Sequence, residues 1–232
     1  MDAVKLVHQQ LDRIKEYTEA VRNGKIRGHT GRKIRNIISV GIGGSYLGPS
    51  YISEVLATER EGIFTSQGFT LRFLSNVDPV DVERSISNLD AEETLVVIVS
   101  KTFTTSETML NARTMRQWLW DRMSGGNPDA SVTATHVVAC ASESARDKVL
   151  EFGVREERFF QFWDWVGGRY SVCSSAGTVS LSLKYGFSLV EKVGSTSLFT
   201  RMFAAPLLTA LSSSGASRGS IYGPPLLLRA PP

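Results

Sequence analysis

Cysteine is scarce in this 232-residue chain, with Cys140 and Cys173 the only two. Neither sits in a C-x-x-C pair or a cysteine/histidine ligand spacing, which excludes the common zinc and thiol-redox motifs. Buried thiols in a reducing compartment are the expectation. There are three histidines, read as His8 on a helix, His29 in a turn and His136 in a strand. No two of them have metal-ligand spacing, so no metal is expected. No apolar run is long enough for a membrane-spanning helix. Asp2, Lys5, His8, Gln9, Gln10 and Asp12 interrupt any signal-peptide core. Basic runs are missing too. The net charge is only +3, which argues against nucleic acid and is compatible with a small anionic substrate. Asp, Glu and Lys vanish altogether from 193–232, where five of the eight prolines fall. That composition predicts an irregular tail, with a short helix over Leu207, Leu208 and Leu211 as the alternative.

What remains is an ordinary globular composition, 42% hydrophobic and 21% charged, long enough for a real core. Val4, Val7, Leu11, Ile14 and Val21 recur at helical spacing and predict an amphipathic helix over 2–23, with Asp2 at its start and Gly24 at its end. Lys25 to Arg35 is a basic turn region around Gly28-His29-Thr30-Gly31. From there strand and helix alternate. Strands are expected at 37–40, 70–74, 94–99, 136–140 and 158–162, and helices at about 49–57, 78–88, 106–123 and 144–152. The run Thr94–Val99 is continuously apolar, as a parallel strand buried on both faces requires. This alternation predicts an α/β layered fold with a mostly parallel sheet. Ligands bind such sheets at the carboxyl ends of the strands.

Two turns lie at such ends. Ser100-Lys101-Thr102-Phe103-Thr104-Thr105 precedes a helix. Its hydroxyls, its lysine and the unpaired N–H groups of the helix start suit a phosphate monoester. The alternative is plain helix capping, with Glu107 completing a capping box. Gly41-Ile42-Gly43-Gly44-Ser45 permits close backbone approach. A dinucleotide fingerprint fails there, because Tyr46 stands where the third glycine belongs. A third constellation, Asp164-Trp165-Val166-Gly167-Gly168-Arg169, carries an arginine that suits a developing oxyanion. Its alternative is a structural turn with a salt-bridged arginine.

In order, these segments resemble the glucose-6-phosphate isomerase family. Val40–Pro49 (VGIGGSYLGP) is similar to its glycine-serine loop. Val99–Thr108 (VSKTFTTSET) is similar to its phosphate loop, and Asp164–Gly177 (DWVGGRYSVCSSAG) to its arginine signature. Gly28–Gly31 fits the segment before the first strand. The resemblance runs from about residue 5 to residue 192. It implies a three-layer, flavodoxin-like sugar-isomerase (SIS) domain over 36–192, preceded by the helix and basic turn of 1–35 and followed by the tail of 193–232. It implies glucose 6-phosphate and fructose 6-phosphate as ligands, reversible aldose–ketose isomerisation in glycolysis and gluconeogenesis, no cofactor, and a homodimer. It implies a cytoplasmic location, with the plastid as alternative. Carried over by motif, Gly44, Ser45, Ser100, Lys101, Thr102 and Thr105 hold the phosphate, and Arg169 stabilises the cis-enediolate. The family's glutamate base, with a histidine and lysine for ring opening, belongs to a second domain without a counterpart in this sequence. A truncated, poorly active chain is therefore the expectation, and a binding module or an inactive product the alternative.

Overall fold

The computed structural model describes residues 3–195. The expected tail, and Asp2 as a helix start, lie outside the described residues. Of the described residues, 3–192 form one compact unit. The elements run α1 (Ala3–Arg22), β1 (Asn36–Val40), α2 (Leu47–Thr58), α3 (Arg60–Thr65), β2 (Thr70–Leu74), α4 (Pro79–Ile86), β3 (Thr94–Val99), α5 (Ser106–Met123), α6 (Ala130–His136), β4 (Val137–Ala141), α7 (Arg146–Glu151), β5 (Phe159–Gln161), α8 (Ser175–Tyr185) and α9 (Phe187–Ser195).

The five strands form one parallel sheet in the order β2-β1-β3-β4-β5. Each strand after β1 follows a crossover helix, and helices cover both faces. On one face, Ile38, Val40, Val96, Ile98, Val137 and Ala139 pack with Met109, Ala112, Met115 and Leu119 of α5 and Val132 of α6. Alternate residues face the other side, as strand geometry dictates. There α8 packs along β1 to β4, and α1, α2 and α3 pack on α8. All six side chains of β3 are buried, the consequence of sitting mid-sheet between two helical layers.

Five sequence expectations need correction. His136 ends a helix and does not start a strand, because the Asp129 carboxylate accepts from the N–H groups of Ser131 and Val132 and caps α6. That local cap overrides the β-like look of Ala130–His136. The fifth strand is shorter than 158–162, and the 144–152 helix opens with a 3₁₀ turn before α7. Helices α3, α6, α8 and α9 were not expected. In α8 nearly every residue is buried, so no polar stripe marks it in the sequence. Of the cysteines only Cys140 is buried; Cys173 is exposed at the end of the 3₁₀ segment Gly168–Cys173, in which Ser171 and Val172 are the buried residues.

His136 itself clamps the basic turn. Its Nε2 accepts the His29 backbone N–H at 2.8 Å, and its Nδ1 lies 2.7 Å from the Thr94 carbonyl. This requires the neutral ring with its proton on Nδ1. A Cβ on Gly28 would meet the Glu92 carbonyl at 2.4 Å and the His136 ring at 2.9 Å, so glycine is what lets the turn seat there. Burial holds the His136 pKa below its ordinary 6.5. The folded pKa being depressed, the clamp's contribution is fully present above about pH 6.5 and is lost as pH falls towards the folded pKa. The melting temperature should fall between pH 7 and pH 5, with a shallower fall in His136→Gln. An equal fall in the variant would assign the acid sensitivity elsewhere.

Candidate functional site

The order β2-β1-β3 makes the boundary between β1 and β3 a topological switch point. The helix after β1 goes to one face and the helix after β3 to the other, leaving a crevice at the strand ends. Both candidate loops open there. A Cβ on Gly41 would stand 2.9 Å from Cβ of Ser45 and 3.0 Å from the Val99 carbonyl. The glycine-serine loop therefore runs against the very end of β3, beside Ser100.

The Ser100–Thr105 loop is set by one buried anchor. Phe103 is 4% exposed and meets Phe152 edge-on at 5.7 Å. It has φ +52, a left-handed conformation uncommon outside glycine. Anchoring its ring inward leaves Thr102, Thr104 and Thr105 exposed. Ser100 is buried at 3%, and its Oγ donates to Thr105 Oγ1 at 3.4 Å. Thr104 Oγ1 donates to Thr102 Oγ1 at 2.7 Å. Thr105 is the N-cap of α5 but makes no side-chain capping bond. The capping-box alternative thus fails in the structure, and the first N–H groups of an 18-residue helix lack a side-chain cap.

Lys101 is placed differently from a free phosphate ligand. Its Nζ donates to the Asp164 carbonyl and, at 3.1 Å, to the Val166 carbonyl. It ties the loop after β3 to the loop after β5, with one N–H left over. Ser142, after β4, holds the same segment from the other side: its N–H and hydroxyl both donate to the Lys101 carbonyl, at 2.9 and 2.8 Å.

The loop after β5 closes the set. A Cβ on Gly44 would lie 2.4 Å from the Gly168 carbonyl oxygen, so the two glycine segments touch backbone to backbone. Arg169 follows directly. It is exposed, with its guanidinium 4.6 Å from the Tyr170 ring centroid and Nη2 donating to Tyr170 Oη at 3.1 Å. It makes no salt bridge among the described residues, so the structural-turn alternative lacks its ion pair. Gly41 and Ser45 thus lie against the end of β3, where Ser100 bonds Thr105, Lys101 ties this loop to the loop after β5, and Gly44 meets Gly168 before Arg169. Sequence reasoning missed Ser142 and Phe103, the supports of the loop; the positive φ of Phe103 leaves no residue-type signal.

A family model for phosphoglucose isomerase matches residues 1–207. The chain belongs to the phosphoglucose isomerase family. The match runs past the composition change at Val193. Cytosolic glucose-6-phosphate isomerase of Arabidopsis thaliana is 50% identical over 192 residues, covering 83% of this chain and 33% of that protein. Cytosolic glucose-6-phosphate isomerase A of Oryza sativa subsp. japonica is 52% identical over 181 residues, covering 78% and 31%. The crystal structure of a glucose-6-phosphate isomerase from Chlamydia trachomatis D/UW-3/Cx superposes with a TM-score of 0.61 at 26% identity, over 82% of this chain and 33% of that one. The chain spans about a third of the length of the curated relatives it matches. Its three-layer parallel sheet is the family's fold.

Proposed function

We propose that residues 36–192 form the phosphosugar-binding part of a cytosolic glucose-6-phosphate isomerase, acting on glucose 6-phosphate and fructose 6-phosphate. The observation that carries this reading is the packing of the Gly41–Ser45 loop against the end of β3 at the β1/β3 switch point, from which Ser100–Thr105 leads into α5 with no side-chain cap. The helix start offers N–H groups and a favourable dipole to a phosphate. Ser45, Ser100, Thr102 and Thr105 add hydroxyl donors, Gly44 backbone, and Lys101 its remaining N–H with a full charge. Arg169 stands next to the Gly44–Gly168 contact. In aldose–ketose exchange charge builds up on the two oxygens of the enediolate. A guanidinium keeps its proton at any working pH and stabilises that charge. The printed names of the plant relatives support the cytosolic location.

The assigned set binds and stabilises, but it contains no carboxylate or histidine to carry a proton between carbons. A positioned base contributes about 10²–10⁴-fold. This chain alone should therefore bind fructose 6-phosphate with negligible turnover. Calorimetric titration should show one site, lost in Ser100→Ala/Thr105→Ala, while a coupled assay stays flat. Unchanged binding in that variant would refute the site assignment, and normal turnover by the pure chain would refute the division of labour. A binding module without catalysis is favoured as the second reading by the same absence of a base from the assigned set.

A further inference from the structure

Helices α5 and α7 flank an open groove of about 310 Å³, lined by Arg113, Arg116, Lys148, Glu151, Phe103 and Phe152 among others, to which none of the phosphate-binding candidates contributes. Three cations meet one carboxylate in it. None of the three makes an ion pair among the described residues. The nearby acids Glu143 and Glu156 are taken by Arg146. Arg113 and Arg116 lie one turn apart on α5, where like charges repel. Burial, and Arg113 after it, lower the Arg116 pKa.

Arg116 is held, not loose. Its guanidinium lies 4.1 Å from the Phe152 ring centroid and 4.8 Å from that of Trp120. One Nη1 proton goes to the Phe152 carbonyl at 2.9 Å, and Nε is buried with no partner. A rigid guanidinium with unspent donors, flanked by a second arginine and a lysine, matches the charge and geometry of phosphate oxygens. The volume is of the order that a small ligand fills.

We propose that this groove is a second anion site, taking a small molecule with phosphate groups. It shares only the buried anchor Phe103 with the Ser100–Thr105 loop; its charged residues Arg113, Arg116 and Lys148 are distinct from Ser45, Ser100, Lys101, Thr102 and Thr105, and it stands whether or not those bind sugar phosphate. Inorganic pyrophosphate is the probe, titrated calorimetrically into the whole chain at physiological salt. One binding equivalent should vanish in Arg113→Gln/Lys148→Gln and persist in Ser100→Ala/Thr105→Ala. The exposed pair Arg84→Gln/Arg122→Gln makes the same charge change elsewhere and should bind as wild type. Glu151→Gln, which keeps all three cations, should tighten binding. The site is overturned if Arg113→Gln/Lys148→Gln binds as wild type, if the Arg84/Arg122 control loses the same equivalent, or if Glu151→Gln binds no more tightly. Melting of the ligand-free Arg113→Gln/Lys148→Gln variant should be no lower than wild type, since a repulsion has been removed.

Discussion

Replacing Gly44 with alanine should lower the melting temperature by roughly 2–12 °C, from an overpacking cost of about 1–3 kcal/mol and a shift of about 2–4 °C per kcal/mol in a chain this long. It should also abolish the response to fructose 6-phosphate. The new methyl would sit 2.4 Å from the Gly168 carbonyl oxygen, 2.9 Å from its carbonyl carbon and 3.0 Å from its Cα. All three are backbone atoms, so no side chain can rotate away; one loop must move. Since Gly44 and Ser45 belong to one proposed binding loop and Arg169 follows Gly168, moving either loop separates the phosphate ligands from the arginine. Scanning fluorimetry with and without ligand reads both effects. An alanine variant that melts and responds as wild type would mean the two loops do not depend on their contact.

Lys101→Met should weaken fructose 6-phosphate binding by about 10–100-fold, the equivalent of one charged hydrogen bond of about 1.5–3 kcal/mol. Methionine keeps an unbranched stem of similar length and removes the ammonium. Two effects combine. The phosphate loses a positive charge, and the carbonyls of Asp164 and Val166 lose their common donor. The second effect frees the loop carrying Arg169 from the end of β3. Calorimetry measures the binding loss. Susceptibility of the 164–169 segment to proteolysis separates the two effects, rising only if the tie matters. Wild-type affinity in Lys101→Met would remove Lys101 from the phosphate site and leave it a strut.

The sheet and both loops were legible because their signals are local. Thr94–Val99 is apolar at every position, as a strand buried on both faces must be. Pro79 after Asp78 marks a helix start, and the Asp78 carboxylate does accept from the Val80 N–H. Other features were not legible because they depend on distant partners. The small-residue run Ser175–Tyr185 carries no amphipathic stripe, since burial surrounds it. The Ser180 hydroxyl, for instance, finds its partner in Ser39 on β1 at 3.1 Å. Lys101 was readable as a charge but not as a tie, because its carbonyl partners lie after β5. Cys173 was misread as buried because it sits in a run of small residues whose neighbours do pack. The glycines of Gly41–Ser45 looked like general backbone freedom. The structure gives Gly41 and Gly44 separate reasons, a strand end for one and the Gly168 backbone for the other.

The proposed site is a preformed phosphosugar clamp at the β1/β3 switch point. It is tested most directly by the melting temperature of the wild-type chain against rising fructose 6-phosphate, with fructose as the phosphate-free comparison. A ligand that binds only the folded state raises the melting temperature as its concentration passes the dissociation constant. A graded rise is expected with fructose 6-phosphate and none with fructose. No shift at millimolar fructose 6-phosphate, or an equal shift with fructose, would contradict it.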